Sequence, residues 1–438
     1  MTLPTEPPPE FGHQLRQYFG FEADYVNLNH GSYGSVPNPV SQATAANFRY
    51  MEGNIDRFMR LHLPEHLRPA RHRMAKFVGA GPEEIVFVPN ASHGINTVLK
   101  NLVWNKGDII ITATTTYGSI GRTAQYISEL PPHPSVSLFE LKFPTTRASL
   151  LQAFRVHVDT LYTKLQVAQR AISDGKKLKI VAIIDSIASN PGAYLPWKEM
   201  VTICHERSVL TVVDAAHSVG QEPNINLSEA RPDFWVSNCH KWLFAKRPCA
   251  ILYVPKRNQH LIQSPFPTPF SYMSPKEPRE NFGGSHFVEM FGWTGTIDFS
   301  EFLSIQSALD FRQWLGGEQK ISDYCHSLAL SGGKRLSELL GTPLLDPTGE
   351  FTLNMVNVGL PLALTTPDNA ITHEFLLRSL LEGWRVSAAV FLHNGRWWVR
   401  ASAQVWNEIS DFEYLAKALK DSCEKVELKY RRKVPVKL

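Results

Sequence analysis

The sequence predicts an α/β fold: a large domain on a mainly parallel sheet with helices on both faces, then a smaller α+β domain. Three observations carry this expectation. Short apolar, β-branched runs recur at 85–89, 108–113, 136–141, 179–184 and 209–213 with helical patterns between them, and such alternation builds parallel strands joined by helical crossovers. These runs are apolar nearly throughout, as strands buried on both faces are. The length, 438 residues, exceeds what one small core organises and divides as an arm over 1–20, a large domain over 21–300 and a small domain over 301–438.

Taken in order, the arm is proline-rich and acidic up to Glu10, with a short helix over 12–18. The stretch 25–34 follows. Its Gly31 and Gly34 let the backbone approach something closely, and Asn29, His30 and Tyr33 beside them are candidate pocket residues, although a linker has the same composition. Helical spacing over 38–78 is interrupted at 53–58. Arg57 and Arg60 there face an anionic ligand or make surface ion pairs. Strand 85–89 turns through Asn90-Ala91-Ser92-His93-Gly94 into a helix from about Ile95. A strand at 249–254 closes the large domain, antiparallel to the rest. The proline-rich segment 264–278, with Asn281-Phe282-Gly283-Gly284, is a long loop of the functional or mobile kind and carries Phe270, another pocket candidate. One long helix from about 302 to 340 leads into the second domain, which has strands at 353–358, 384–390 and 396–401 and helices over 371–381 and 411–423. Trp397-Trp398 reads as core packing.

Composition narrows the function classes. The net charge of +4 is scattered, and the one basic run, 429–433, reads as a solvated helix end, so no nucleic-acid partner is expected. No window approaches about 18 apolar residues, so no membrane span is expected. Residues 1–10 lack the apolar core of a signal peptide, and Val436-Lys437-Leu438 lacks the small polar first position of a peroxisomal address. The five cysteines are dispersed and outside any zinc spacing, which points to a reducing compartment, the cytoplasm, and to no metal.

Ser92, Tyr117, Asp185, Asp214 and Lys241 all fall at or just past the carboxyl ends of predicted strands, where ligands of such sheets bind. Val212-Val213-Asp214 ends a buried strand on a carboxylate, and Lys241 stands 27 positions later, directly after His240. Pyridoxal phosphate needs at least an imine-forming lysine and an acid facing its pyridine nitrogen. Lys241 and Asp214 meet that need. At about 4 Å and an effective dielectric of ~20 such a charge pair is worth roughly 4 kcal/mol, or about three pKa units, enough to keep the ring protonated at neutral pH. Singly, each reads more readily as a solvated lysine or a strand-end aspartate; the combination reverses this and favours the cofactor. Ser92, at a helix N-terminus, offers N–H groups to a phosphate or simply caps the helix.

Together these residues resemble the class V aminotransferase family of fold-type-I pyridoxal phosphate enzymes. Within it the chain is similar to the isopenicillin N epimerase-like branch, whose relatives include a fungal ergothioneine-pathway C–S lyase and a loline-pathway cyclase. The resemblance runs from about Val26 to Asp411 and is most specific between Asp214 and Lys241. It implies a mainly parallel seven-stranded sheet in the large domain, with Lys241 as the imine lysine and Asp214 as the pyridinium partner. His217 and Ser189 would lie near the phenolic oxygen, and Tyr117 would stack on the ring. Ala91, Ser92, Asn238 and His240 would hold the phosphate, with His93 and Asp185 as further cofactor contacts. Gly295-Thr296 matches a pair that reaches the phosphate of the other subunit, which implies a homodimer. Arg400 matches the arginine for the substrate α-carboxylate, which guanidinium grips through two parallel hydrogen bonds; Asn29, His30, Tyr33 and Arg57 are further candidates on the substrate side. Read without the family, Tyr117 is a packed aromatic, Thr296 a turn residue and Arg400 an interdomain ion pair.

Two departures stand out. Lys246-Arg247-Pro248 replaces the branch's usual Pro-Arg-Gly, which puts the role of Arg247 in question because proline fixes φ and lacks an N–H. Asn54-Ile55-Asp56-Arg57-Phe58 is closer to the epimerase-like proteins than to the ergothioneine lyase. The activity implied is that of an enzyme that takes an α-amino acid as an external aldimine and labilises a bond at its α-carbon through a carbanion. A lyase or cyclase of secondary metabolism is favoured, by elimination or Mannich-type ring closure as in the loline pathway. The alternatives are a hercynylcysteine sulfoxide C–S lyase, an amino-acid epimerase, a cysteine desulfurase-like enzyme, or a cofactor-less binding protein on the same fold. The intact Asp214, His240 and Lys241 set speaks against the last.

Overall fold

The computed structural model describes residues 6–171, 175–274, 276 and 285–431. Residues 1–5 of the arm, much of the 264–284 loop's second half and the end of the chain, including Arg432-Lys433 and 436–438, lie outside them. In chain order the strands are β1 (Val26–Asn27), β2 (Ile85–Val88), β3 (Ile109–Ala113), β4 (Ser135–Phe139), β5 (Ile180–Asp185), β6 (Leu210–Asp214), β7 (Phe234–Asn238), β8 (Ala250–Tyr253), β9 (Met355–Gly359), β10 (Val386–Ser387), β11 (Ala389–His393) and β12 (Arg396–Ser402).

β2 to β8 form one seven-stranded sheet in the order β2-β8-β7-β6-β5-β3-β4. β3 to β7 run parallel, while β8 is antiparallel to both of its neighbours. Alternate residues serve opposite cores. Phe87, Ile111, Ile184, Val213 and Trp235 pack on one face, and Val86, Val88, Ile183, Val212 and Val236 on the other. Burial on both faces is why these runs are continuously apolar. The fold expected from the sequence, a mainly parallel seven-stranded α/β sheet, is the one found.

The differences are local. β7 has no counterpart among the expected strands; its five residues read as the lead-in to the lysine. The helix expected over 302–340 is two helices, Ser300–Trp314 and Glu318–Leu340. Gly316 and Gly317 part them at φ 110° and 87°, a backbone region closed to a continuing helix. Arg312 then folds back on Glu318, with Nε and Nη2 each 2.6 Å from a carboxylate oxygen. The strand expected at 384–390 divides between β10 and β11, which belong to different sheets. The helix expected from Ile95 begins at Ala91, and the last one runs over Ile409–Arg431.

β9, β11 and β12 form an antiparallel sheet in the order β11-β12-β9. Leu336, Val356, Trp397, Val399, Phe412 and Leu419 are buried in the core beside it. Trp398, also buried, joins the core of the large sheet. β1 pairs in parallel with β10, and the Ser402 N–H donates to the Leu28 carbonyl. Residues 29–34 are thereby brought beside both sheets. At Gly34 (φ 73°, ψ 157°), a Cβ would overlap the His240 carbonyl and sit 2.8 Å from that of Lys241. Arg247 adds a clamp: its Nη1 donates to the carbonyls of Tyr33 at 3.2 Å and Gly34 at 2.5 Å. Arg247 of Lys246-Arg247-Pro248 thus ties the lysine loop to the 30–34 turn. Among the described residues no helix is long and apolar enough to cross a membrane.

The Gly34 backbone lies in a region essentially reserved for glycine, where another residue costs about 1–3 kcal/mol before any overlap is counted. Gly34→Ala should therefore lower the denaturant midpoint by at least that equivalent; an unchanged midpoint would show that the 30–34 turn moves freely off the lysine loop.

Candidate active site

Three adjacent parallel strands end together. Asp185 closes β5, Asp214 closes β6 and Asn238 closes β7, with Asp185 and Asp214 directly paired in register. The chain then turns through His240 and Lys241 over the same sheet edge. A cavity of about 320 Å³ opens there, lined by Ser32, Tyr33, Asn90, Ala91, Ser92, Tyr117, Asp185, Ile187, Ser189, Asp214, Ala216, His217, Asn238, His240 and Lys241.

Its ionisable groups are buried and set one another's charge. Burial lowers Lys241 to about 7, the Arg400 guanidinium pushes the same way, and Asp214 opposes both. About half of the amine is therefore neutral at neutral pH, where an unshifted lysine is almost wholly charged. Its Nζ lies 3.1 Å from His217 Nε2. Asp214 Oδ1 accepts the Ala216 N–H at 3.0 Å; burial raises this carboxyl, and that N–H and Lys241 partly offset the rise. Asp185 is driven well above the usual carboxylate range by burial and by Asp214, and its Oδ2 has no partner. A second acid so close and so deeply buried makes the first harder to ionise.

Arg400 sits behind Ser32 and Ser189 and is 2% exposed. Nη1 donates to the Ser189 carbonyl at 2.7 Å, with Ser189 Oγ 3.4 Å away, and Nη2 donates to Asn29 Oδ1 and Ser32 Oγ, both at 2.9 Å. Nε has no partner. Every acceptor is neutral, and burial lowers the group to about 10. A buried cation held by neutral acceptors is incomplete without an anion. Gly192 lets it lie there, because a Cβ at that position would come 2.8 Å from Arg400 Cδ.

On the opposite side Asn90 Oδ1 caps the helix Ala91–Asn101 by accepting the His93 N–H at 2.8 Å. Asn238 Oδ1 accepts the Ala91 N–H at 2.9 Å, and the Ser119 hydroxyl donates to Ser92 Oγ at 2.8 Å. A helix N-terminus of this kind suits a phosphate. His240 Nδ1 lies 2.8 Å from the Cys249 carbonyl, which fixes its ring.

Of the residues singled out in the sequence, Tyr33, Ala91, Ser92, Tyr117, Asp185, Ser189, Asp214, His217, Asn238, His240 and Lys241 line this cavity, and Asn29 and Arg400 stand just behind its wall. The other candidates do not enter it. His30 is buried against Trp242, Phe244 and Trp406, a core histidine. The His93 side chain, Arg57 and Thr296 are exposed and outside the lining. Phe270 is a surface ring, 70% exposed. Sequence reasoning missed Ser32, Asn90 and Trp242. Asn90 carried a signal, an amide just before a helix start; Ser32 and Trp242 carried none beyond their neighbours. Among the described residues no cluster of His, Cys, Asp or Glu could hold a metal.

The chain matches the family model described as aminotransferase class V over residues 28–130 and 143–371, and it belongs to that family. It is 33% identical to the L-cysteine desulfhydrase-like protein lolT1 of Epichloe uncinata, over 95% of this chain and 96% of that one. It is 29% identical to the hercynylcysteine sulfoxide lyase of Schizosaccharomyces pombe, over 94% and 98%. Among solved structures, a C-DES mutant with glycine covalently linked to its pyridoxal phosphate cofactor superposes with a TM-score of 0.73 at 18% identity, covering 93% of this chain and 99% of that one. Membership makes pyridoxal phosphate the cofactor, and the residues present fit it. An amine lowered to about 7, two carboxyls with one unpartnered oxygen and a helix N-terminus surround one cavity.

The lysine supplies a pH test. A neutral amine attacks an aldehyde and an ammonium does not, so imine formation by cofactor-free protein should speed up as pH rises and level off above about 7. Stopped-flow absorbance reads this; a rate still climbing about tenfold per unit near pH 9 would mark an unshifted lysine.

Proposed function

We propose that this chain is a pyridoxal phosphate-dependent lyase or cyclase that acts on an α-amino acid, by elimination or ring closure at the side chain. The observation that carries this reading is Arg400: a fully buried guanidinium, held by neutral oxygens only, beside a lysine amine lowered to about 7. Arg400 would take the α-carboxylate through its paired donors, with Asn29, Ser32 and Ser189 holding its plane. Bound pyridoxal phosphate supplies an electron sink for negative charge at the α-carbon. Ser92, Ala91, Asn238 and His240 would hold its phosphate, Asp214 its ring nitrogen, and Tyr117 would cover the ring. Lys241 Nζ, lowered to about 7, would take the α-proton and return it where the reaction requires.

The names of the two fungal relatives, one cysteine desulfhydrase-like and one a sulfoxide lyase, favour loss or displacement of a side-chain substituent, in specialised metabolism, over simple transamination. Sulfur transfer onto the chain itself is disfavoured, since that needs an accessible thiol and all five cysteines are buried. Thr296 lies exposed and outside its own chain's cavity, which supports its reaching the cofactor of a second copy in a homodimer.

Incubation of the holoenzyme with candidate amino acids in deuterated buffer, read by mass spectrometry, tests the reading. The expected result is deuterium at the α-carbon together with a lost or cyclised side chain. Deuterium with an intact side chain would indicate epimerisation instead, and no exchange with any amino acid would contradict α-carbon chemistry. Losing charged hydrogen bonds worth about 1.5–3 kcal/mol, Arg400→Ala should raise KM roughly tenfold or more; a wild-type KM would remove Arg400 from the carboxylate site.

A further inference from the structure

Trp242, directly after the lysine, is fully buried and does not itself line the cavity. Its indole Nε1 lies 3.2 Å from His217 Nδ1, and His217 Nε2 lies 3.1 Å from Lys241 Nζ. Indole N–H is a donor only. Nδ1 must therefore accept, and a neutral imidazole so engaged carries its one proton on Nε2. That proton points at Lys241, whose nitrogen must in turn accept, as only a neutral amine does. The order of the three side chains thus fixes every hydrogen between them.

We propose that Trp242 is a positioning residue: its indole holds His217 as the Nε2–H tautomer, so that His217 serves the site as a hydrogen-bond donor and not as a base.

The indole is itself anchored. Ile187 and Met355 pack against it, His30 meets it edge-on at 5.2 Å, and the Trp242 carbonyl accepts from Arg312 Nη1 at 2.8 Å. His217 is pinned at its backbone, where its carbonyl accepts from Gln221 Nε2 at 2.9 Å. A second proton on Nδ1 would set N–H against N–H. The surroundings oppose it as well: burial, Lys241, Arg400 and His240 all hold the imidazole well below its ordinary range, which outweighs the nearby acids Asp185 and Asp214, both themselves pushed up by burial. An N–H that the protein does not allow to turn into a lone pair suits an oxygen acceptor in the cavity and leaves proton removal to Lys241.

The inference rests on this cavity being the active site, and its first test needs no turnover. Histidine-selective 15N NMR of the holoenzyme, with the His217 signals assigned by their loss in H217Q, should show Nε2 protonated and Nδ1 bare. A protonated Nδ1, alone or in an imidazolium, overturns the proposal whatever the reaction proves to be. The second test is a cycle. W242F keeps an aromatic ring but no N–H and should lower kcat/KM about tenfold, or about 1.4 kcal/mol. In the H217Q background the amide presents N–H without help, and the same substitution should cost less than about twofold. Equal losses in both backgrounds would reduce Trp242 to packing. If W242F does not fold, the NMR result decides alone.

Discussion

The structure depends on the burial of opposed charges at one edge of a parallel sheet. Arg400, Asp214 and Asp185 are taken out of water, and Lys241 is drawn largely out of it beside them. Burial disfavours each charged form, and the four cannot all escape it. Arg400 stays charged because guanidinium hardly loses its proton. Both carboxyls are pushed up by burial, Asp185 further because Asp214 adds to the rise. Lys241, pressed by desolvation and by Arg400 and relieved by only one acid, falls to about 7. A nucleophilic amine at neutral pH is thus a consequence of which groups share the cavity.

The fold delivers that company by two routes. The sheet register supplies the acids, since β5 and β6 end level with each other, and β7 beside them leads into the lysine. The cation comes from a separate sheet: Arg400 lies on β12 and is received by Ser189, Asn29 and Ser32. The latter two are on a segment held down by β1, by Gly34 and by Arg247. The loop after β7 therefore has the sheet on one side and the 29–34 turn on the other. Trp242 and His217 complete it from within, so the lysine's neighbours are fixed in hydrogen placement as well as in position.

Much of this is legible in the sequence, for physical reasons. Strands buried on both faces leave unbroken apolar runs, and β2, β3, β5, β6 and β8 can be read from them directly. A carboxylate ending such a run is costly unless used, which singles out Asp185 and Asp214. β7 is harder, because its five residues merge into the polar lysine loop. The break at Gly316 and Gly317 is hidden by helical spacing on both sides. In the site, His30 misleads: beside glycines it resembles a pocket residue, yet three aromatic rings enclose it. Ser32 and Trp242 act through contacts 368 and 25 positions away, and no local pattern encodes such distances.

Borohydride reduction of the purified holoenzyme, followed by peptide mass spectrometry, would locate the cofactor directly. Reduction should trap a pyridoxyl group on the ε-amine of Lys241 alone, with loss of the visible absorbance. A pyridoxyl group on any other lysine, or on none, would contradict the assignment of Lys241 as the imine-forming residue.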